Sequence, residues 1–260
     1  MSKIHFFVFI IVFCLTVGGT ALTVGAEGNP AAEEIVAKAD NLMRGTSSFA
    51  EIEMKLERKK SYQNRTIKMK AWTKGNEKSF IVIMEPAKDA GTTFLKLKSE
   101  MWNYLPKIER KVKIPPSMML QSWMGSDFTN DDVSRADSMI TDYTHKLIGE
   151  ETIEGQPCWK IESIPKENAP VFWGKVVNII QKDGYIYRKQ EFYDEDMALA
   201  KVMVLSRIRE TSGRRVPTLM TMTNEKKPGN ITTLSFDKIE FDITIAEDTF
   251  TQQNLIRGGR

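Results

Sequence analysis

The chain has few of the residue types that carry most catalysis and metal binding. It contains two cysteines and two histidines among 260 residues. Cys14 and His5 lie within the first 26 residues, which leaves Cys158 and His145 in the rest of the chain. A single cysteine excludes an intramolecular disulfide, and one histidine with one cysteine cannot form a zinc cluster. We interpret Cys158 as a small packed side chain and His145 as a half-exposed strand residue.

An excess of one charge sign is also missing. Lys and Arg number 37, Asp and Glu number 34, and the formal net charge is +3. This balance gives no reason to expect nucleic acid as a partner. The sequence also lacks a glycine-rich phosphate loop, a G-x-S-x-G elbow and a dinucleotide fingerprint. We therefore predict a protein that is not an enzyme and has no cofactor and no metal.

One acidic cluster leaves an alternative open. Asp127, Asp131 and Asp132 lie close together and offer the oxygen ligands that calcium prefers. The cluster lacks the spacing and the central glycine of an EF-hand loop. Capping of a short helix explains the same residues more simply.

The first residues predict the compartment. Lys3 is followed by an apolar run over residues 4–17, and Val24 and Ala26 stand where signal peptidase prefers small residues. We predict a signal peptide over residues 1–26, a single domain over residues 27–260, and a periplasmic location. An uncleaved membrane anchor is the alternative, although the run is short for a transmembrane helix.

Hydrophobic periodicity predicts a mainly β fold with covering helices. Residues 30–44 have the apolar spacing of an amphipathic helix, with Gly45 as its end. Residues 50–57 alternate apolar and charged, as in a strand with one wet face. Similar segments with short connections follow, and we count about eleven antiparallel strands. A sheet of this size must curl or close.

An unusual segment interrupts the strands. Pro115-Pro116 ends a basic strand, and residues 117–124 are rich in Met and Trp and are predicted to be helical. A second short helix is predicted over residues 131–136, and a last helical turn over residues 247–255. A segment rich in Met and Trp is usually part of the hydrophobic core. Here it lies at the mouth of a curled sheet in an exported protein without catalytic groups, which favours a binding cavity.

These features resemble the LolA-like outer-membrane lipoprotein-sorting proteins of bacteria. The resemblance covers the chain beyond the signal peptide and rests most specifically on GSDFTNDD at residues 125–132. The helix over residues 31–44, WNYLP at residues 102–106 and residues 143–157 add weaker support. The resemblance implies an unclosed β-barrel of the LolA/LolB type, covered by helices, with a hydrophobic cavity for acyl chains. The functional arginine of LolA itself has no matching position here.

The resemblance implies a carrier of lipoprotein acyl chains or of another envelope lipid. Its partners would be an inner-membrane transporter or permease and possibly an outer-membrane acceptor. We expect a movable lid from the insertion and walls or a rim from aromatic residues of the early strands. The predicted lipid-binding residues are Trp72, Phe80, Trp102, Tyr104, Met118, Met119, Leu120, Trp123, Met124 and Phe128.

Two other functions remain open from the sequence. The first is a periplasmic sensor of lipid or lipoprotein that regulates a membrane partner. The second is an enzyme acting on envelope lipid, for which His145 and Asp127 would be the essential groups.

Overall fold

A computed structural model describes residues 31–134 and 138–258. The signal peptide predicted over residues 1–26 lies outside the described residues. The helices are α1 (Ala32–Arg44), α2 (Asn130–Ser134), α3 (Ser138–Thr141) and α4 (Gln252–Arg257). The strands are β1 (Ser47–Glu57), β2 (Arg65–Lys74), β3 (Lys78–Glu85), β4 (Thr93–Leu97), β5 (Glu100–Leu105), β6 (Arg110–Lys113), β7 (Tyr143–Ile153), β8 (Gln156–Pro165), β9 (Lys175–Gln181), β10 (Ile186–Tyr193), β11 (Leu199–Thr211), β12 (Arg214–Asn224) and β13 (Ile231–Phe241).

The strands form one antiparallel sheet that does not close. Its order is β6-β5-β4-β3-β2-β1-β13-β12-β11-β10-β9-β8-β7, so β6 and β7 are the two free edges. The predicted fold class, mainly β with an unclosed antiparallel sheet, is confirmed. The described residues contain thirteen strands instead of about eleven.

Alternation along the strands separates the two faces of the sheet. On β2, Met69 and Ala71 pack on one side, while Trp72 packs on the other. We call the side of Ala71 the inner face and the side of Trp72 the outer face. Cross-strand pairs keep these sides, since Ala71 pairs with Ile81 and Trp72 pairs with Phe80.

Three segments cover the sheet. Helix α1 packs Ile35, Val36 and Ala39 onto the inner face near β8 to β10, and Gly45 ends it with a φ of 64°. Residues 114–142 connect the two free edges, and part of this insertion packs on the inner face of β1 to β5. The C-terminal segment covers the outer face of β3 to β5, where Thr93 Oγ1 donates to the Leu255 carbonyl at 2.5 Å.

The insertion is less helical than the sequence predicts. Residues 117–124 do not form an α-helix, and single 3-10 turns occur at Pro116–Met118 and Trp123–Gly125. An antiparallel bridge between Ser122 and Thr129 folds the segment back on itself. Its backbone groups therefore bond across this loop, as in Asp131 N–H to the Met119 carbonyl at 2.8 Å, instead of along a helix. The second predicted helix is present as α2, although residues 135–137 lie outside the described residues.

Candidate functional site

A cavity of 390 Å³ lies inside the curled sheet. Its walls come from the inner faces of β1, β2 and β10 to β13, from α1, from the insertion, and from the loop between β8 and β9. The lining residues with large apolar or aromatic side chains are Met43, Ile52, Phe128, Met139, Tyr143, Val171, Phe172, Trp173, Tyr187, Phe192, Met203, Leu205, Met220, Met222, Phe236 and Ile239. This volume lies within the range of about 300–1,000 Å³ that is usual for sites binding small molecules.

The position of the cavity follows from what fills the rest of the inner face. Helix α1 covers one part and the insertion covers another. Between them, Ala50 of β1 pairs with Ala71 of β2, and both small side chains line the cavity. Two neighbouring methyl groups leave open the space that larger strand residues would occupy. The cavity therefore depends on small residues in its floor.

Five methionines make the walls adaptable. Met203 on β11 and both Met220 and Met222 on β12 point inward, while Met43 and Met139 come from α1 and α3. Methionine is unbranched and polarizable, so it accommodates varied apolar partners at low cost. The walls suit flexible apolar chains better than a rigid planar cofactor.

Most polar side chains that line the cavity are already paired. On α1, Arg44 donates to both carboxylate oxygens of Asp40, at 3.0 and 2.9 Å. Ser48 and Thr73 share a hydrogen bond of 2.6 Å between their hydroxyl oxygens. Such pairing lowers the cost of keeping these groups away from water.

A buried lysine ties the cavity wall together. Lys201 of β11 donates to the Asp127 carbonyl at 2.5 Å and lies 3.5 Å from a carboxylate oxygen of Asp132. Its ammonium also lies 5.0 Å from the centre of the Trp173 ring, and the Trp173 indole N–H donates to Asp132 at 3.4 Å. Lys201 therefore holds the insertion and the β8–β9 loop against the sheet.

A row of polar side chains crosses four neighbouring strands and ends at the cavity. Gln190 Nε2 on β10 donates to Asn178 Oδ1 at 2.7 Å, and Asn178 Nδ2 donates to Ser163 Oγ at 2.8 Å. Ser163 Oγ lies 2.8 Å from His145 Nδ1. Burial lowers the pKa of His145 below the ordinary value of 6.5, and the direction of its hydrogen bond with Ser163 is set by the ring tautomer. Gln190 is the member of the row that lines the cavity.

Of the ten predicted lipid-binding residues, Phe128 is the one that lines this cavity. Met118, Met119 and Met124 pack on the inner-face cluster beside it, and Trp123 lies within that cluster. Trp123 is 4% exposed, and its ring centre lies 5.3 Å from that of Phe94. Leu120 is 51% exposed at the surface of the insertion. In this conformation the apolar side chains of the insertion pack against the inner face of β1 to β5.

The four strand aromatics lie elsewhere and require a correction. Trp72, Phe80, Trp102 and Tyr104 belong to the outer-face cluster beneath the C-terminal segment, so they do not form walls of this cavity. Trp102 also edges an open, charged groove beside α4. On β3 to β5 both faces carry apolar residues, so alternation does not identify the inner face there, whereas on β2 the alternation with Lys68 and Lys70 places Trp72 on the outer face. The inner-face residue next to Trp72 is Ala71.

The GSDFTNDD segment anchors the insertion. Asp127 is 6% exposed and accepts hydrogen bonds from Arg58 at 3.1 Å, Thr232 at 2.6 Å and Asn224 at 3.3 Å. These partners come from three parts of the sheet. Asp127 therefore fixes one end of the insertion to β12, β13 and the end of β1.

The other two acidic residues also have partners. Thr129 Oγ1 accepts from the Asp132 N–H at 3.0 Å, and Asp132 Oδ2 accepts from the Thr129 N–H at 2.8 Å, which is a capping box for α2. The predicted capping role is therefore confirmed for Asp132. Within the described ranges, His, Cys, Asp and Glu side chains form no group of three or more that could hold a metal ion. The described helices include none that is long and apolar enough to cross a bilayer.

The architecture defines the class of protein. An unclosed antiparallel sheet, curled around an apolar cavity and bridged by an insertion between its free edges, is the LolA-like fold. A LolA superfamily protein from Nitrosomonas europaea superposes with a TM-score of 0.73 at 22% identity, covering 86% of this chain and 99% of that one.

Two further solved structures have the same fold. A DUF1329 family protein from Desulfovibrio piger gives a TM-score of 0.79 at 24% identity, covering 86% of this chain and 97% of that one. A putative outer membrane lipoprotein-sorting protein domain from Vibrio parahaemolyticus gives 0.75 at 26% identity, covering 87% and 97%. A comparison with curated proteins finds no match to the chain.

The family follows from the sequence itself. A family model with the description "Uncharacterized protein" matches residues 75–257, well over half of the chain. The chain belongs to this family, and its fold is the LolA-like fold.

Proposed function

We propose that this protein is a periplasmic carrier that binds the acyl chains of lipoproteins or of another envelope lipid and passes them towards the outer membrane. The observation that carries the proposal is the apolar cavity of 390 Å³. The similarity to a putative lipoprotein-sorting domain supports it. An inner-membrane transporter or permease would load the carrier, and an outer-membrane acceptor would receive the lipid.

The energetics explain why a carrier is needed. Each methylene moved out of water contributes about 0.8 kcal/mol. A chain of roughly sixteen carbons in water therefore costs on the order of 12 kcal/mol, which prevents unaided crossing of an aqueous space at a useful rate. A cavity lined by Met203, Met220 and Met222 replaces water with flexible apolar contacts. Loose packing also favours release, because no single chain shape is required.

We further propose that the insertion acts as a lid. Ile52 and Ala71 line the cavity and also pack against the cluster that the insertion covers. Displacing the methionines of the insertion would therefore open a second apolar space next to the first. Asp127 would stay in place as the pivot, because its hydrogen bonds hold that end of the insertion to the sheet. The proposed lid residues are Met118, Met119, Leu120, Trp123, Met124 and Phe128.

A charge placed in the cavity tests the carrier function. Met203→Glu puts a carboxylate where acyl chains would lie, and burying an unpaired charge next to them is strongly unfavourable. The assay measures transfer of a fluorescent acyl lipid between donor and acceptor vesicles. We expect transfer by the mature protein and at least a tenfold loss of rate in the Met203→Glu variant.

A matched substitution supplies the control. Met84 is 46% exposed and does not line the cavity, so Met84→Glu should transfer lipid at the normal rate. Equal transfer by the Met203→Glu variant would contradict the cavity as the binding site. Binding of lipid without any transfer to vesicles would favour the sensor function.

A further inference from the structure

Two polar groups on β10 line the cavity without a hydrogen-bond partner for one of their atoms. Tyr187 is 6% exposed, and its hydroxyl has no hydrogen-bond partner among the described residues. Gln190 uses its Nε2 for Asn178, and its Oε1 likewise has no partner within the described part of the chain. Neither atom is among the fully enclosed atoms without a partner, so both are accessible from the cavity, and a ligand that pairs with them gains affinity.

The row of hydrogen bonds fixes which atom Gln190 presents. Ser163 accepts from Asn178 Nδ2, which directs Asn178 Oδ1 towards the Nε2 of Gln190. Gln190 Oε1 is therefore left as an acceptor at the cavity. The neighbouring group is a donor: burial, together with the negative charge of Asp40, raises the pKa of Tyr187, so its hydroxyl keeps its proton.

The spacing of the two groups restricts the ligand. Tyr187 pairs with Ile180 and Gln190 pairs with Asn178, and a register shift between Tyr187 and Lys189 accommodates one extra residue of β10, so both side chains line the cavity. Their partners Ile180 and Asn178 are successive positions on one face of β9, which lie about 7 Å apart. A secondary amide can bridge an acceptor and a donor, because its N–H and its C=O point in opposite directions. With one hydrogen bond on each side, the protein acceptor atom and the protein donor atom are then about 8 Å apart.

We propose that Gln190 and Tyr187 select acyl chains linked through an amide, with the ligand N–H donating to Gln190 Oε1 and its C=O accepting from the Tyr187 hydroxyl. This inference rests on the proposed lipid-binding function and narrows its ligand class. An ester-linked chain offers the carbonyl but no N–H, and places a second oxygen against Gln190 Oε1. Amide-linked chains therefore bind more tightly than ester-linked chains of equal length.

Two ligands that differ at one atom test the proposal. They are N-hexadecanoylglycine methyl ester and its analogue with oxygen in place of the amide N–H. Displacement of a fluorescent acyl probe from the mature protein gives both dissociation constants. We expect the amide to bind about tenfold more tightly, since one lost hydrogen bond and one unpaired acceptor together cost that much.

Variants separate the two contacts. Tyr187→Phe should weaken both ligands several-fold without lowering the free energy of unfolding, because the hydroxyl has no partner in the free protein. Gln190→Met should weaken the amide alone and make the two affinities equal. Tyr193 lies on the other face of β10 and donates to Glu191 at 3.0 Å, so Tyr193→Phe should leave both affinities unchanged.

The outcomes distinguish this inference from the function on which it rests. Equal binding of amide and ester to the unmodified protein would overturn amide selection and leave the carrier function standing. Binding of neither ligand would refute the carrier function itself. An amide preference that persists in the Gln190→Met variant would also overturn the assigned contact.

Discussion

Replacing Ala71 with leucine extends a side chain into the cavity from its floor. The Ala71 methyl group lines the cavity beside that of Ala50, and leucine adds three carbon atoms. If these carbons displace three methylenes of a bound chain, at about 0.8 kcal/mol each, the free energy of binding becomes less favourable by about 2.4 kcal/mol. The Kd then rises roughly fifty-fold. The free protein should gain stability, because filling a cavity contributes about 0.5–2 kcal/mol.

The opposite signs of these two effects make the test sharp. Displacement of a fluorescent acyl probe measures binding, and urea unfolding measures stability. Ala87→Leu, at an exposed position outside the cavity, is the control and should change neither. Unchanged binding in the Ala71→Leu variant, or parallel loss of binding and stability, would refute the argument that Ala71 bounds an open ligand cavity.

Two further predictions concern stability. Asp127→Ala removes the carboxylate partner of Arg58, whose side chain is 11% exposed, and should lower the free energy of unfolding by about 3 kcal/mol in urea titrations. Asp237→Ala, at an exposed position, is the control, and a loss below about 1 kcal/mol in the Asp127→Ala variant would contradict the anchoring role. Burial lowers the pKa of His145 below the ordinary value of 6.5, so stability should be complete above about pH 6.5 and decline as the pH falls towards the folded-state pKa. A His145→Gln variant should lose that part of the pH dependence, and an unchanged slope would show that other groups cause it.

The strands and the first helix were predictable because each has a local periodicity. Alternating apolar and charged residues identify β1, and the spacing of Ile35, Val36 and Ala39 identifies α1. Residues 117–124 show the limit of that signal. Their apolar side chains suit a short helix, but bonds such as Asn130 Nδ2 to the Met118 carbonyl at 2.9 Å replace helical ones. Those bonds depend on residues further along the chain.

The cavity itself was harder to predict. Alternation in LMTMTN places Met220 and Met222 on one face of β12, which is a usable signal. The same signal does not tell whether that face is packed or open, because this depends on where α1 and the insertion lie. Trp72 was expected in the cavity wall because of its size, although alternation with Lys68 and Lys70 on β2 places it on the outer face, where it lies. Cavity residues therefore require the tertiary arrangement as well as the strand pattern.

The most direct test of the central claim is native mass spectrometry of the mature protein purified from the periplasm, followed by lipid extraction and identification. The carrier function predicts a stoichiometric acylated species, which is lost in the Met203→Glu variant. A clean lipid-free mass, together with no uptake of offered acyl lipids, would contradict the account and assign the 390 Å³ cavity to imperfect packing.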